Sequence, residues 1–152
     1  MKPKRKFLTR FQDASAIFID ANILIDILDT SAQNRQMSLR TLNAALLSGL
    51  PVFVSPTTFA ICSYFAKKYY KAEPNKLPSL LKEFFEPFQF TTEDADVMHK
   101  VLRSSFTDLE DAVQYFSAKK TFPSVGIIIT WNTHHFPPVP LPVMSPHEFL
   151  TL

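Results

Sequence analysis

Short runs of unbroken apolar residues recur along the chain, and between them the apolar spacing changes to a helical period. Residues 16–19 (Ala-Ile-Phe-Ile) stop at Asp20, as expected of a strand buried on both faces of a parallel sheet. Residues 52–54 and 127–130 have the same character, and 87–90 can supply a brief further strand. Helical spacing covers residues 22–28 and 32–48, the second stretch ending at Gly49, a good stop signal. Ser55-Pro56 joins a hydroxyl cap to a proline in the first turn and predicts a helix to about residue 70. Pro74 and Pro78 punctuate a loop before a short helix at 80–85. Thr91 with Asp94 three residues on resembles a capping box and predicts a helix to about residue 103. Residues 108–120 form the next helix, and Ser145-Pro146-His147-Glu148 opens a last one with both a proline start and a capping box.

Strand and helix therefore alternate, and parallel strands need crossover connections of this kind. The expected fold is α/β, three αβα layers around a mainly parallel sheet of four to five strands. A chain of 152 residues with 46% hydrophobic content suits one domain, assigned to 16–152, behind a basic N-terminal extension at 1–15. No internal repeat interrupts it, and residues 137–142, rich in proline, form a stiff irregular connection. Fifteen Phe, four Tyr and one Trp require a packed core.

Charge and composition narrow the chemistry. Sixteen Lys and Arg against fourteen Asp and Glu leave a formal charge of +2, so affinity for a polyanion must come from a local patch. Residues 2–10, the most basic stretch, read as a solvated tail, with a phosphate-contacting arm as the alternative. Lys67, Lys68, Lys71, Lys119 and Lys120 are the helix-borne candidates for positive charge beside an acidic pocket. With Cys62 alone, no internal disulfide can form. No signal-peptide core and no run of the ~18 apolar residues that would span a bilayer is present, which points to a soluble, cytoplasmic protein without membrane contact. Two glycines exclude a phosphate-cradling glycine loop.

In open α/β sheets ligands gather beyond the carboxyl ends of the strands. The first strand delivers Asp20, then Asn22 and Asp26, and the last long strand delivers Thr130, then Asn132. At 100° per residue, Leu109, Val113 and Phe116 share the apolar arc of the 108–120 helix, Glu110 faces away, and Asp108 and Asp111 lie together along the flank. Carboxylates brought together repel unless a cation sits among them, and Mg²⁺ or Mn²⁺ suits an all-oxygen site of Asp20, Asp108 and Asp111. Each acid also has a structural reading: Asp20 and Asp108 as helix caps, Asp111 as a first-turn acid, Asp26 as a packing residue. His135 reads as an ordinary loop histidine, with a phosphate contact or proton donor as the alternative, and adjacent His134 and His135 do not make a zinc site. Trp131 reads equally as a base-stacking residue or as loop packing.

The segments IFIDANILIDIL at 17–28, SPTTFAICSYFAKK at 55–68, FTDLEDAVQYFSA at 106–118, IIITWNTHHF at 127–136 and PVMSPHEFL at 142–150 resemble, in that order, PIN-domain nucleases, most closely the bacterial branch related to toxins of toxin–antitoxin pairs. The resemblance implies Mg²⁺- or Mn²⁺-dependent endonucleolytic cleavage of single-stranded RNA. It makes Asp20 the first-strand metal ligand, Asn22 the residue that holds the neighbouring loop, Asp111 the helix acid, Asp108 a second carboxylate, and Asn132, after Thr130, the residue at a position the family fills with Asp or Asn. It also implies an antitoxin partner, while the aromatic helices around Tyr64, Phe65, Tyr69, Tyr70, Phe84 and Phe85, otherwise core, point to a homodimer. The sequence departs from the pattern at Ile61, where the family carries an acid, and at His135, where it carries another. The alternative that follows is a catalytically depleted domain that binds RNA or protein.

Overall fold

The computed structural model describes residues 15–71, 73–121 and 123–152; the expected extension, apart from Ser15, lies outside the described residues. Five strands, β1 (Ala16–Ile19), β2 (Val52–Val54), β3 (Gln89–Phe90), β4 (Val125–Ile129) and β5 (Val143–Met144), form one sheet. Their order is β3-β2-β1-β4-β5, and every neighbouring pair is parallel. Among the described residues seven α-helices surround it: α1 (Ala21–Leu28), α2 (Arg35–Leu47), α3 (Pro56–Tyr69), α4 (Leu77–Phe85), α5 (Ala95–Leu102), α6 (Leu109–Lys120) and α7 (Pro146–Leu150). This is the three-layer α/β architecture that the alternating pattern predicts.

The strands read as unbroken apolar runs because both of their faces are covered. Ile17, Ile19, Val52, Val54, Ile127 and Ile129 face one core with side chains from α1, α2, α3, α4 and α7. Ala16, Phe18, Phe53 and Ile128 face the other, against α5 and α6. Successive residues of β1 thus serve opposite layers, as the pleat demands. In the β1/β4 ladder Ala16 pairs with Val125 but Ile17 pairs with Ile127, so Gly126 is the extra residue of a bulge. Gly49 takes φ 81° directly after the α2 C-cap Ser48, the left-handed step that stops the helix.

The local signals at helix starts are visible at two places. Ser55 Oγ accepts from the Thr58 N–H at 3.0 Å while Thr58 Oγ1 accepts from the Ser55 N–H at 3.4 Å. Ser145 and Glu148 make the same reciprocal pair ahead of α7. Four expectations need correction. Helix α2 begins at Arg35, later than the apolar spacing suggests, because residues 29–34 turn around Asp29, whose carboxylate takes the Ser31 N–H and hydroxyl. Pro78 lies inside the first turn of α4, where its missing N–H costs nothing, so the helix starts at Leu77. Asp94, not Thr91, caps α5, accepting from the Val97 N–H at 3.1 Å; Thr91 is buried and extends β3, its N–H donating to the Val54 carbonyl. On α6 Leu109, expected in the apolar arc, is 53% exposed, whereas Val113 of that arc is buried and Phe116 packs against the core; the buried face also takes in Asp111, Ala112, Gln114, Tyr115, Ser117 and Ala118.

Among the described residues, no helix is long and apolar enough to cross a membrane.

Candidate active site at the strand ends

The carboxyl ends of β1 and β4 are adjacent in the sheet, and the polar residues just past them meet there. Asp20 is 2% exposed and forms no side-chain cap on α1. Its Oδ2 instead accepts the Thr130 hydroxyl at 2.5 Å and the Asn22 Nδ2–H at 2.8 Å. Asn22 donates also to Thr130 Oγ1 at 2.9 Å, and its Oδ1 accepts the Trp131 N–H at 3.1 Å. The Asn132 N–H donates to Thr130 Oγ1 at 3.0 Å, so Asn132 enters the site through its backbone. Burial pushes the Asp20 carboxyl above the usual carboxylate range, with the Thr130 hydroxyl and the Gln114 amide pulling the other way.

Asp108 caps α6 and faces the site at once. Its Oδ1 accepts the N–H groups of Glu110 and Asp111, at 3.1 and 3.3 Å, while its Oδ2 lies 3.6 Å from His135 Nδ1. One turn on, Asp111 is turned inward, and its Oδ2 shares a proton with His135 Nδ1 across 3.0 Å. Burial, then the charges of Asp20 and Asp108, raise the Asp111 carboxyl to about 7, against the opposing pull of His135. Glu110 points outward, yet burial and the charges of Asp20 and Asp108 raise it too, so it belongs to the rim of this field and does not face away from it.

His135 is the residue that sequence reasoning misplaces. It closes a 3-10 turn, Thr133–His135, behind Thr130, with its N–H donated to the Asn132 carbonyl at 2.9 Å. The reading as an ordinary loop histidine fails, because Asp108, Asp111 and His135 each offer a ligand atom and all these atoms lie within 4.8 Å of one another. Asp20 lies behind this trio, coupled to Asp111 through its charge. Two carboxylates and an imidazole at this separation fit a divalent cation by donor chemistry and by spacing.

Gln114 is the second residue without a sequence signal of its own. Fully buried on α6, it accepts the Ala21 N–H at 3.2 Å and the Thr58 hydroxyl at 3.1 Å, so it ties the starts of α1 and α3 to the acid-bearing helix. Its Nε2 makes no hydrogen bond of good geometry among the described residues, although the amide still pulls the Asp20 carboxyl down. Its position one turn beyond Asp111 is the signal that was available.

Other candidates fall elsewhere. Asp26 accepts from Ser38 Oγ at 3.1 Å, and Ser38 accepts from Trp131 Nε1 at 3.0 Å, so Asp26 is structural and Trp131 is a loop-packing residue. Lys120 is engaged with Asp94 at 2.6 Å and Asp96 at 3.4 Å. Lys119 and Lys120 lie eight and nine residues beyond Asp111 along α6, about 12–14 Å of helix rise away. Lys67, Lys68 and Lys71 lie at or past the last turn of α3, whose first turn is the one bonded to Gln114. These lysines therefore do not line the acidic pocket. Phe85 is buried core, whereas Tyr64 is 70% exposed.

Acids clustered past the carboxyl edge of a parallel α/β sheet suit divalent-metal chemistry. A PIN domain family profile matches residues 16–134, and the chain belongs to that family. The match supports a nuclease, hence a hydrolase in general, and PIN domains are in general dependent on divalent metal. It ends one residue before His135. No curated protein matches the chain.

Proposed function

We propose that the protein is a metal-dependent endoribonuclease acting on single-stranded RNA. The observation that carries this reading is the Asp108, Asp111 and His135 group set against buried Asp20, with the Asp111 carboxyl raised to about 7 by burial first and then by the charges of Asp20 and Asp108. A divalent cation relieves that repulsion. Asp108 and Asp111 would hold it, with Asp20 behind them; bound there, it lowers the pKa of a water and neutralises charge on a phosphodiester. Asn22, Thr130 and Asn132 lock the end of β1 to the loop after β4, so that Asp20 and the turn carrying His135 keep their places.

Single-stranded RNA is supported by the rings at the same edge of the sheet. Phe59 and Phe90 are 41% and 45% exposed, with centroids 6.2 Å apart, and offer a surface on which unpaired bases can stack. The resemblance to the toxin branch extends the proposal to an inhibitory protein partner, and the aromatic helices extend it to a homodimer, for which exposed Tyr64 on α3 offers an anchor.

The test is cleavage of a mixed pool of single-stranded RNA by purified protein with Mn²⁺, Mg²⁺ or EDTA, beside an Asp20→Asn, Asp111→Asn double variant. Cutting that needs metal and vanishes in the variant supports the reading. A second reading, a depleted PIN domain that binds RNA or protein without cutting, is favoured by Ile61, half-buried on α3 where the family places an acid. Absence of cutting by a folded wild type, in every metal, selects it.

A further inference from the structure

We infer that the metal centre is selective for a first-row transition dication, such as Mn²⁺, over Mg²⁺, because His135 supplies a nitrogen ligand through Nδ1. This deepens the metal reading above and rests on it.

The geometry places the imidazole where a ligand belongs. For metal–ligand bonds of about 2.1 Å, two donors side by side on one ion stand about 3 Å apart. His135 Nδ1 stands 3.0 Å from Asp111 Oδ2 and 3.6 Å from Asp108 Oδ2. The ring is held by its surroundings: its backbone closes the turn behind Thr130, and the His134 ring meets it edge to face, centroids 4.4 Å apart. In the absence of metal the same spacing serves a hydrogen bond to Asp111. With an ion bound there, the Nδ1 lone pair would be free to ligate it, the proton between Nδ1 and Asp111 passing to solvent and the neutral ring carrying its proton on Nε2.

Two effects then act in the same direction. Mg²⁺ is hard, strongly hydrated and dependent on the negative charge of its oxygen ligands. With a neutral imidazole at 135, the trio offers two negative charges, fewer than three carboxylates would. Transition dications gain from an imidazole what Mg²⁺ does not, and affinity among them rises along the series from Mn²⁺. Neither effect depends on the RNA, so selectivity is a property of the protein alone.

The test is metal binding at fixed pH, without RNA. Mn²⁺ affinity is read from loss of the free-ion electron paramagnetic resonance signal, Mg²⁺ affinity from its competition, and ligation from ¹⁴N modulation in pulsed spectra of the Mn²⁺-loaded protein. Expected are at least about tenfold tighter Mn²⁺ binding than Mg²⁺ binding, and ¹⁴N modulation. In His135→Asp the modulation disappears and the preference shrinks by about tenfold, with Mg²⁺ binding retained. His135→Gln, neutral and of similar size, loses the modulation as well and stands in should the Asp variant fold poorly. Equal binding of the two ions by wild type, or modulation that survives both substitutions, overturns the histidine assignment and leaves the metal reading intact. Failure of wild type to bind Mn²⁺ at all overturns both.

Discussion

Thr130 and Asp20, 110 residues apart in the chain, are joined by a hydroxyl-to-carboxylate hydrogen bond of 2.5 Å at the adjoining ends of β4 and β1. The bond faces no solvent, since Thr130 is fully buried and Asp20 is 2% exposed. A buried carboxylate that loses a donor carries the full cost of its desolvation. Thr130→Val should therefore destabilise the protein by about 1–3 kcal/mol in urea unfolding, while Thr130→Ser should recover most of it. Equal stability of the Val and Ser variants would show that the bond contributes nothing.

Asp111 sets an unusual pH dependence. Its carboxyl lies at about 7 in the folded chain against 3.8 ordinarily, so the folded state holds the proton more tightly than the unfolded one. Stability from this group is intact below about pH 4, declines as pH rises toward 7, and is fully lost above that. With metal chelated, Asp111→Asn should be more stable than wild type at pH 8 by about 1–3 kcal/mol, and much less so at pH 4. The difference between the two proteins is the quantity to measure, because Asp29, Asp94 and Asp96, each below the usual range, act in the opposite sense. A difference independent of pH would refute the assignment.

Gln114 offers a test of how the helix starts are held together. Replacing it with Leu strands the Ala21 N–H and the Thr58 hydroxyl in the interior, and a loss of about 1–3 kcal/mol is expected by thermal or urea unfolding. Gln114→Glu, which keeps the acceptor for both donors, should cost less at pH 5 than Leu does. A Glu variant as damaged as the Leu variant at that pH would contradict this.

Cys62 is fully buried, and burial followed by the charges of Asp20 and Glu110 raises its thiol to about 12. The thiolate is the reactive form, so the native protein should not react with Ellman's reagent at pH 8 and should release one equivalent once unfolded in guanidinium. Prompt reaction of the native protein would mean that the α3 end of this site opens.

The parts of the molecule legible in the sequence are those governed by local rules. Ala16–Ile19 and the Ile127–Ile129 part of β4 lie between two layers as unbroken apolar runs, so these stretches, and Asp20 at the end of the first, can be read directly, whereas the start of β4 at Val125 is hidden by the bulge at Gly126. Ser55 and Ser145 are legible because a cap and its partner lie within one turn. The misreadings have physical causes. Pro78 is a breaker inside a helix but harmless in its first turn. Leu109 suggests that the apolar arc of α6 reaches the helix start, but the first turn beside the acids leaves it exposed, while Val113 and Phe116 of the arc do pack against the core. Asp108 and Asp111 are near in sequence and could be paired in advance. His135 joins them through a turn after β4, 24 positions beyond Asp111, and no periodicity encodes such a meeting.

The sheet ends on both sides in a strand of two residues, Gln89–Phe90 and Val143–Met144. A border this short offers a neighbouring chain few free N–H and C=O groups to pair with. Ribbon-like pairing of one sheet border with another therefore finds little backbone to work with at either Gln89–Phe90 or Val143–Met144.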